Sequence, residues 1–293
     1  MQTTLDLLPD ATEMGPVTLA VADLDRMLGF YHGALGLTVL AQERGTAVLG
    51  RNDVAVLILD QDGSLAHAPA TAAGLYHTAF LFETAAELAS AVNSVARRGT
   101  AQYQGASDHL VSEAFYFADP EHNGVELYVD RPRASWSTTL GGEIEMGTLA
   151  LDPNRFLQDH LTESGARAVA DTPARVGHVH LKVGSVATAR EFYVDTLGFA
   201  VTASYGSQAL FVAAGGYHHH VGMNTWESQG AGERSPALGL GEVTIELPDV
   251  DALGALDERL AHRSVAREFD GQELTVFDPW RNRIRIRTAP IAG

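Results

Sequence analysis

Apolar residues along this chain fall into short runs separated by turns rich in glycine and proline. In Val17-Thr18-Leu19-Ala20-Val21 and Val179-His180-Leu181-Lys182-Val183 every second position is a valine or leucine, the period of a half-buried strand. Each run leads into an amphipathic stretch with the same landmarks. Phe30-Tyr31 corresponds to Phe192-Tyr193, and Leu35-Gly36-Leu37 to Leu197-Gly198-Phe199, all at one constant offset. This order predicts a strand, a helix, a glycine stop and a further strand over 38–40 and 200–202. Two other segments repeat the plan more weakly. One predicts a strand over 76–82 and a helix over 85–98 ended by Gly99; the other predicts a strand over 242–247 and a helix near 250–262. Both close on a turn and a strand: Asp119-Pro120-Glu121-His122-Asn123-Gly124 before 125–129, and Asp278-Pro279-Trp280-Arg281-Asn282 before 284–287. The Asp-Pro pair and the asparagine mark tight turns.

The chain therefore reads as four modules, at about 14–62, 74–131, 176–228 and 238–288. Along the sequence they divide into an N-terminal domain (1–131), a connecting segment (132–175) and a C-terminal domain (176–293). The connecting segment is too long for a bare linker and predicts a short helix near 154–164.

Composition narrows the function. With 293 residues, 45% apolar and 19% charged, the chain has the profile of a soluble globular protein large enough for a substantial core. No apolar run reaches the roughly 18–20 residues a membrane helix needs, so no membrane role is expected. The stretch 1–12 carries acids and no basic region of a secretory signal, which makes the cytoplasm the expected compartment. Cysteine is absent, which excludes disulfides, thiolate nucleophiles and cysteine-zinc sites. The net charge of −17 disfavours nucleic acid. The alternation of Arg281, Arg283, Arg285 and Arg287 predicts one solvated or ion-paired strand face.

The βαβββ repeat, the Phe-Tyr and Leu-Gly signature and the Asp-Pro-x-x-Asn turn resemble the vicinal oxygen chelate superfamily. That superfamily includes glyoxalase I, extradiol ring-cleaving dioxygenases and bleomycin- or fosfomycin-resistance proteins. The detail is most similar to bacterial catechol-2,3-dioxygenase-like proteins. It is carried by Gly74-Leu75-Tyr76-His77, by 108–114, by Gly177-His178-Val179-His180-Leu181 and by Gly216-Tyr217-His218-His219-His220. The resemblance implies an α+β fold of four βαβββ modules forming two half-barrel sites. Metal ligands would lie near the start of each module's first strand and on its last strand.

At those positions module 1 offers Pro16, which has no ligand atom. Module 2 offers His77 and Glu126, and module 3 offers His178. Module 4 offers Glu242, with Arg285 where the last-strand acid would stand, and arginine repels a cation. Pairing modules 2 and 3, with 1 against 4, completes a two-histidine, one-carboxylate set: His77, Glu126 and His178. Such a set suits non-haem Fe(II), and Mn(II) accepts the same ligands. The resemblance further implies an Fe(II)-dependent extradiol dioxygenase acting on a small aromatic with O2. His219, on the last strand of module 3 and by strand alternation on the opposite face from His218 and His220, would be its acid-base residue, or His220 if the register slips by one. Tyr116 and His109 would contact the substrate oxygens. His180 shares a face with His178 and stays outside this set; His67, His122, His160 and His262 read as surface residues. A glyoxalase-type isomerase or transferase, or a non-catalytic binding protein, are the alternatives. Related proteins lead us to expect a homo-oligomer.

Overall fold

The computed structural model describes residues 7–169 and 174–289. Parts of the expected divisions, at 1–6, 170–173 and 290–293, lie outside them. Module 1 runs β1 (Glu13–Val21), α1 (Leu24–Tyr31), β2 (Thr38–Glu43), β3 (Thr46–Arg51) and β4 (Val54–Gln61). Module 2 runs β5 (Gly74–Phe82), α2 (Ala85–Arg98), β6 (Gln102–Asp108), β7 (Ser112–Ala118) and β8 (Gly124–Asp130). The connecting segment holds β9 (Leu149–Ala150), α3 (Pro153–His160) and α4 (Glu163–Arg167). Module 3 runs β10 (Ala174–Lys182), α5 (Val186–Arg190) with a π-helical turn over Glu191–Thr196, β11 (Ala200–Tyr205), β12 (Ala209–Ala213) and β13 (Val221–Asn224). Module 4 runs β14 (Gly239–Leu247), α6 (Val250–His262), β15 (Arg267–Phe269), β16 (Glu273–Phe277) and β17 (Arg283–Thr288). The fold is α+β, and all four modules keep the order βαβββ.

Local sequence explains the best-defined helix. Thr84 and Glu87 form a reciprocal capping box at the start of α2, Arg97 and Arg98 sit in its last turn, and Gly99 ends it in the left-handed conformation at φ 62°.

Two sheets result. One has the order β15-β16-β17-β14-β1-β4-β3-β2 and joins modules 1 and 4. The other, β11-β12-β13-β10-β5-β8-β7-β6-β9, joins modules 2 and 3. Each sheet thus takes one module from either half of the sequence, as the ligand argument required. The joints are antiparallel pairs of first strands, β1 with β14 and β5 with β10. The two sheets are tied by the repeat signature itself. Tyr31 donates to Asp119 Oδ2 at 2.9 Å, and Tyr193 donates to Asp278 Oδ2 at 3.0 Å. Each aspartate's other oxygen accepts backbone N–H groups of its own turn, so both buried carboxylates are satisfied.

The connecting segment is more than a tether. Phe156 of α3 packs on Phe115 of β7, Ser90 of α2 donates to the Gly165 carbonyl, and β9 extends the second sheet beside β6. Among the described residues no helix is long and apolar enough to cross a membrane. Three of the four arginines form the expected ion-paired strand face: Arg283 and Arg285 hold Glu242, Arg285 also holds Glu273, and Arg287 holds Glu246. Arg281 does not belong to it, because it stands in the left-handed turn before β17 at φ 65°, over the Phe277 ring.

One irregularity sets the site. Val176 pairs with Phe80 and His178 with Ala79, so Gly177 is an extra residue in β10. This bulge lets Val176 enter the core while His178 turns to the opposite face of the sheet. A side chain at 177 has no room, because its Cβ would lie 1.7 Å from the Tyr128 hydroxyl. Gly177→Ala is therefore expected to cost about 1–3 kcal/mol of stability by overpacking and to weaken metal binding through His178. Urea denaturation and a metal titration of the variant check both, and wild-type values in both would contradict this account.

Candidate metal centre

The candidate ligand triad is built by strand register. In β5, residues 77 and 79 share a face because side chains alternate along a strand. Ala79 pairs with Glu126 of β8 on one side and with His178 of β10 on the other. His77 pairs with His180, and Glu126 pairs with Tyr116 of β7. Five polar side chains from four strands therefore converge on one face over Ala79, whose small side chain leaves them room.

The structure brings the three expected ligands together. Nε2 of His77 lies 2.9 Å from Glu126 Oε2, and Nε2 of His178 lies 3.1 Å from the same oxygen. Their candidate ligand atoms all fall within 4.8 Å of one another, and all three residues are buried. His77 Nε2 has no partner of hydrogen-bond geometry despite that short distance, and His178 Nδ1 is likewise unpartnered. Burial pushes the His178 imidazole down to about 4 against the pull of Glu126, so it is neutral at neutral pH. Burial would raise the Glu126 carboxyl, but His178 and His77 outweigh it and hold it well below the usual carboxylate range. Neutral imidazole and ionised carboxylate are the forms that bind a divalent cation. An orphaned buried nitrogen beside a shared carboxylate oxygen fits a metal better than it fits a structural ion pair.

A cavity of about 840 Å³ opens onto this triad and is also lined by Tyr116, His109, His180 and His219. Tyr116 and His109 form one arm of it. His109 Nδ1 donates to the Gly147 carbonyl at 2.6 Å, and its Nε2 lies 2.6 Å from the Tyr116 hydroxyl. Both nitrogens of His109 are thus occupied, and it reaches the reacting region through Tyr116. Burial, then Glu126, raises the Tyr116 phenol well above its ordinary value, which keeps its proton in place.

The histidine triplet lies elsewhere than sequence alternation predicts. Residues 218–220 form a bend before β13 rather than part of the last strand, because Gly215 and Gly216 both take left-handed conformations at φ 59° and 66°. Neighbours there need not point to opposite faces: His218 and His219 approach each other at 2.8 Å through their Nδ1 atoms. His219 lines the cavity, its ring 4.0 Å from that of His178 between centroids. His220 turns away and accepts the Ala214 N–H. His180 Nε2 accepts from Asn224, and burial holds its imidazole well below the ordinary value.

Sequence reading missed three features. His122 is an exposed turn residue as expected, at φ 68°, but that turn also brings it to the cavity wall. Tyr76 and Trp226 stack edge to face at 5.5 Å as an exposed aromatic rim of the cavity. Gly147, from the connecting segment, anchors His109 through a backbone carbonyl that no motif encodes.

Comparison with known proteins gives three findings. The sequence model of the Glyoxalase/Bleomycin resistance protein/Dioxygenase superfamily matches residues 13–127 and 175–286. A protein named catechol-2,3-dioxygenase from Bacillus subtilis (strain 168) is 36% identical over 272 residues, covering 92% of this chain and 94% of that protein. Solved structures share the fold at low identity. Glyoxalase I from Zea mays matches with a TM-score of 0.57 at 16% identity, over 95% of this chain and 92% of its own. The cppA protein of Streptococcus pneumoniae TIGR4 matches with a TM-score of 0.60 at 12% identity, over 94% and 100%.

Proposed function

The chain belongs to the glyoxalase/bleomycin resistance protein/dioxygenase superfamily, and from that premise we propose that it is a metal-dependent extradiol dioxygenase that cleaves a catechol-like aromatic with O2. The observation that carries this reading is the triad of His77, Glu126 and His178 facing a cavity that also presents His219 and Tyr116. Three protein ligands on one side leave positions for a substrate with two adjacent oxygens and for O2. Fe(II), or Mn(II) with the same ligands, would supply the redox chemistry that joins them when bound. His77, Glu126 and His178 would hold it.

The remaining work falls to the chain's own side chains. His219, neutral because burial holds its imidazole well below the ordinary value, takes a proton from a catechol hydroxyl and returns it later in the turnover. Tyr116, held in place by His109, hydrogen-bonds the substrate and fixes its position.

A glyoxalase-type reaction usually draws on a fourth protein ligand, often a second acid. Among the described residues the cluster of potential ligands is confined to these three, which favours the dioxygenase reading. The test is to load the protein with Fe(II) anaerobically and then add catechols and air. Uptake of O2 with a yellow ring-cleavage product is expected. Iron bound without product from any of a broad panel of catechols would defeat the proposal.

A further inference from the structure

His219 does not stand alone behind the cavity. Its Nδ1 lies 2.8 Å from Nδ1 of His218, and Nε2 of His218 lies 2.8 Å from Oδ1 of Asp130. Asp130 ends β8, the strand that carries Glu126, and neither it nor His218 lines the cavity. His218 is fully buried, its ring packed edge-on against Trp136, Tyr128 and His178. The bend that permits the contact is itself fastened, because Thr202 donates to the His218 carbonyl at 2.6 Å.

Hydrogen-bond direction then decides where the protons sit. A carboxylate can only accept, so His218 presents Nε2–H to Asp130. A neutral His218 has its lone pair on Nδ1. Between two neutral rings the proton in the contact is therefore on Nδ1 of His219, which leaves Nε2 of His219 as a bare lone pair.

From this geometry we infer that Asp130 and His218 are positioning residues that set the tautomer of His219, so that its Nε2 is the proton acceptor. The inference deepens the proposed reaction and rests on that reading for its catalytic meaning, but the tautomer itself is a property of the protein alone. A fixed tautomer matters because an imidazole with Nε2–H toward the substrate has no lone pair to offer, and a wrong tautomer in an otherwise intact site is enough to suppress acid-base catalysis. It also accounts for a consecutive histidine pair in a bend: the first histidine serves the second.

The test uses the full-length chain, metal-free after chelator treatment and carrying isotope-labelled histidine, with the tautomer read from nitrogen NMR. The His219 resonance is assigned by its loss in His219→Gln. Wild-type protein is expected to show His219 protonated at Nδ1. Asp130→Asn can offer an amide N–H to His218 Nε2, which moves the His218 proton to Nδ1 and the His219 proton to Nε2. That tautomer change is expected, together with a fall in kcat of at least about tenfold at nearly unchanged KM, while Asp130→Glu retains the wild-type tautomer. A wild-type His219 protonated at Nε2 overturns the inference, and this holds even if no variant folds. An Asp130→Asn protein with the wild-type tautomer also overturns it. Failure of the ring-cleavage reading would remove the kcat comparison and leave the tautomer result standing, so the two failures are distinguishable.

Discussion

His178→Ala is expected to empty the metal site as completely as His77→Ala, with bound metal falling from stoichiometric to background in both. The two residues lie about a hundred positions apart in sequence, yet β10 pairs with β5 and sets both imidazoles against one oxygen of Glu126. Outer-sphere partners of metal ligands already cost about 10–100-fold in affinity when removed, so loss of a direct ligand should exceed about hundredfold. Glu126→Gln keeps the shape but deletes the only negative charge of the triad, and should fail likewise. Glu242→Gln is the informative control. Glu242 occupies the first-strand position of module 4, but Arg283 and Arg285 neutralise it, so metal content should stay at the wild-type level. Elemental analysis of the purified variants, with circular dichroism to confirm folding, decides the matter. Retention of metal by a folded His178→Ala protein would confine the site to module 2 and refute the joint site.

Much of this candidate site was legible in the sequence because strand chemistry is local and the repeat supplies its own alignment. Pro16 and Arg285 marked the outer pair of modules as unfit to ligate, and His77, Glu126 and His178 marked the inner pair. The helices over 85–98 and 250–262 fall where periodicity and the Gly99 stop predict them. What escaped depends on departures from regular period. The bulge at Gly177 changes which face of β10 is exposed, and a period-two pattern gives no sign of it beyond the glycine itself. The bend at 218–220 places consecutive histidines in contact, whereas a strand reading sends them to opposite faces. Gly147 acts through a carbonyl oxygen, a group every residue has, so no side chain announces it. The Tyr31–Asp119 and Tyr193–Asp278 bonds were visible only as two signatures repeated together; that one half of each signature binds the other half is a tertiary fact.

Loss of His219 should separate chemistry from metal binding. In His219→Gln, kcat for ring cleavage is expected to fall by about 10²–10⁴-fold, the usual contribution of a positioned acid-base group, while metal content stays stoichiometric because His219 is outside the ligand triad. Glutamine retains a hydrogen-bonding head but cannot take up a proton near neutral pH. Solvent is a poor substitute, because His219 is 8% exposed and its ring lies against His178. His220→Gln tests the competing assignment from one residue away. His220 accepts the Ala214 N–H and lies outside the cavity, with burial, then His218, pushing its imidazole down to about 3; its replacement should leave kcat near the wild-type value. Oxygen uptake at saturating catechol, measured beside metal content, distinguishes the cases. Equal losses in the two variants would mean that the triplet acts as a structural unit, and an unchanged His219→Gln would remove the acid-base role altogether. A selective loss at 219 has one physical explanation: of three consecutive histidines, only the middle one has its ring in the cavity, because two left-handed glycines turned the chain out of the strand just before it.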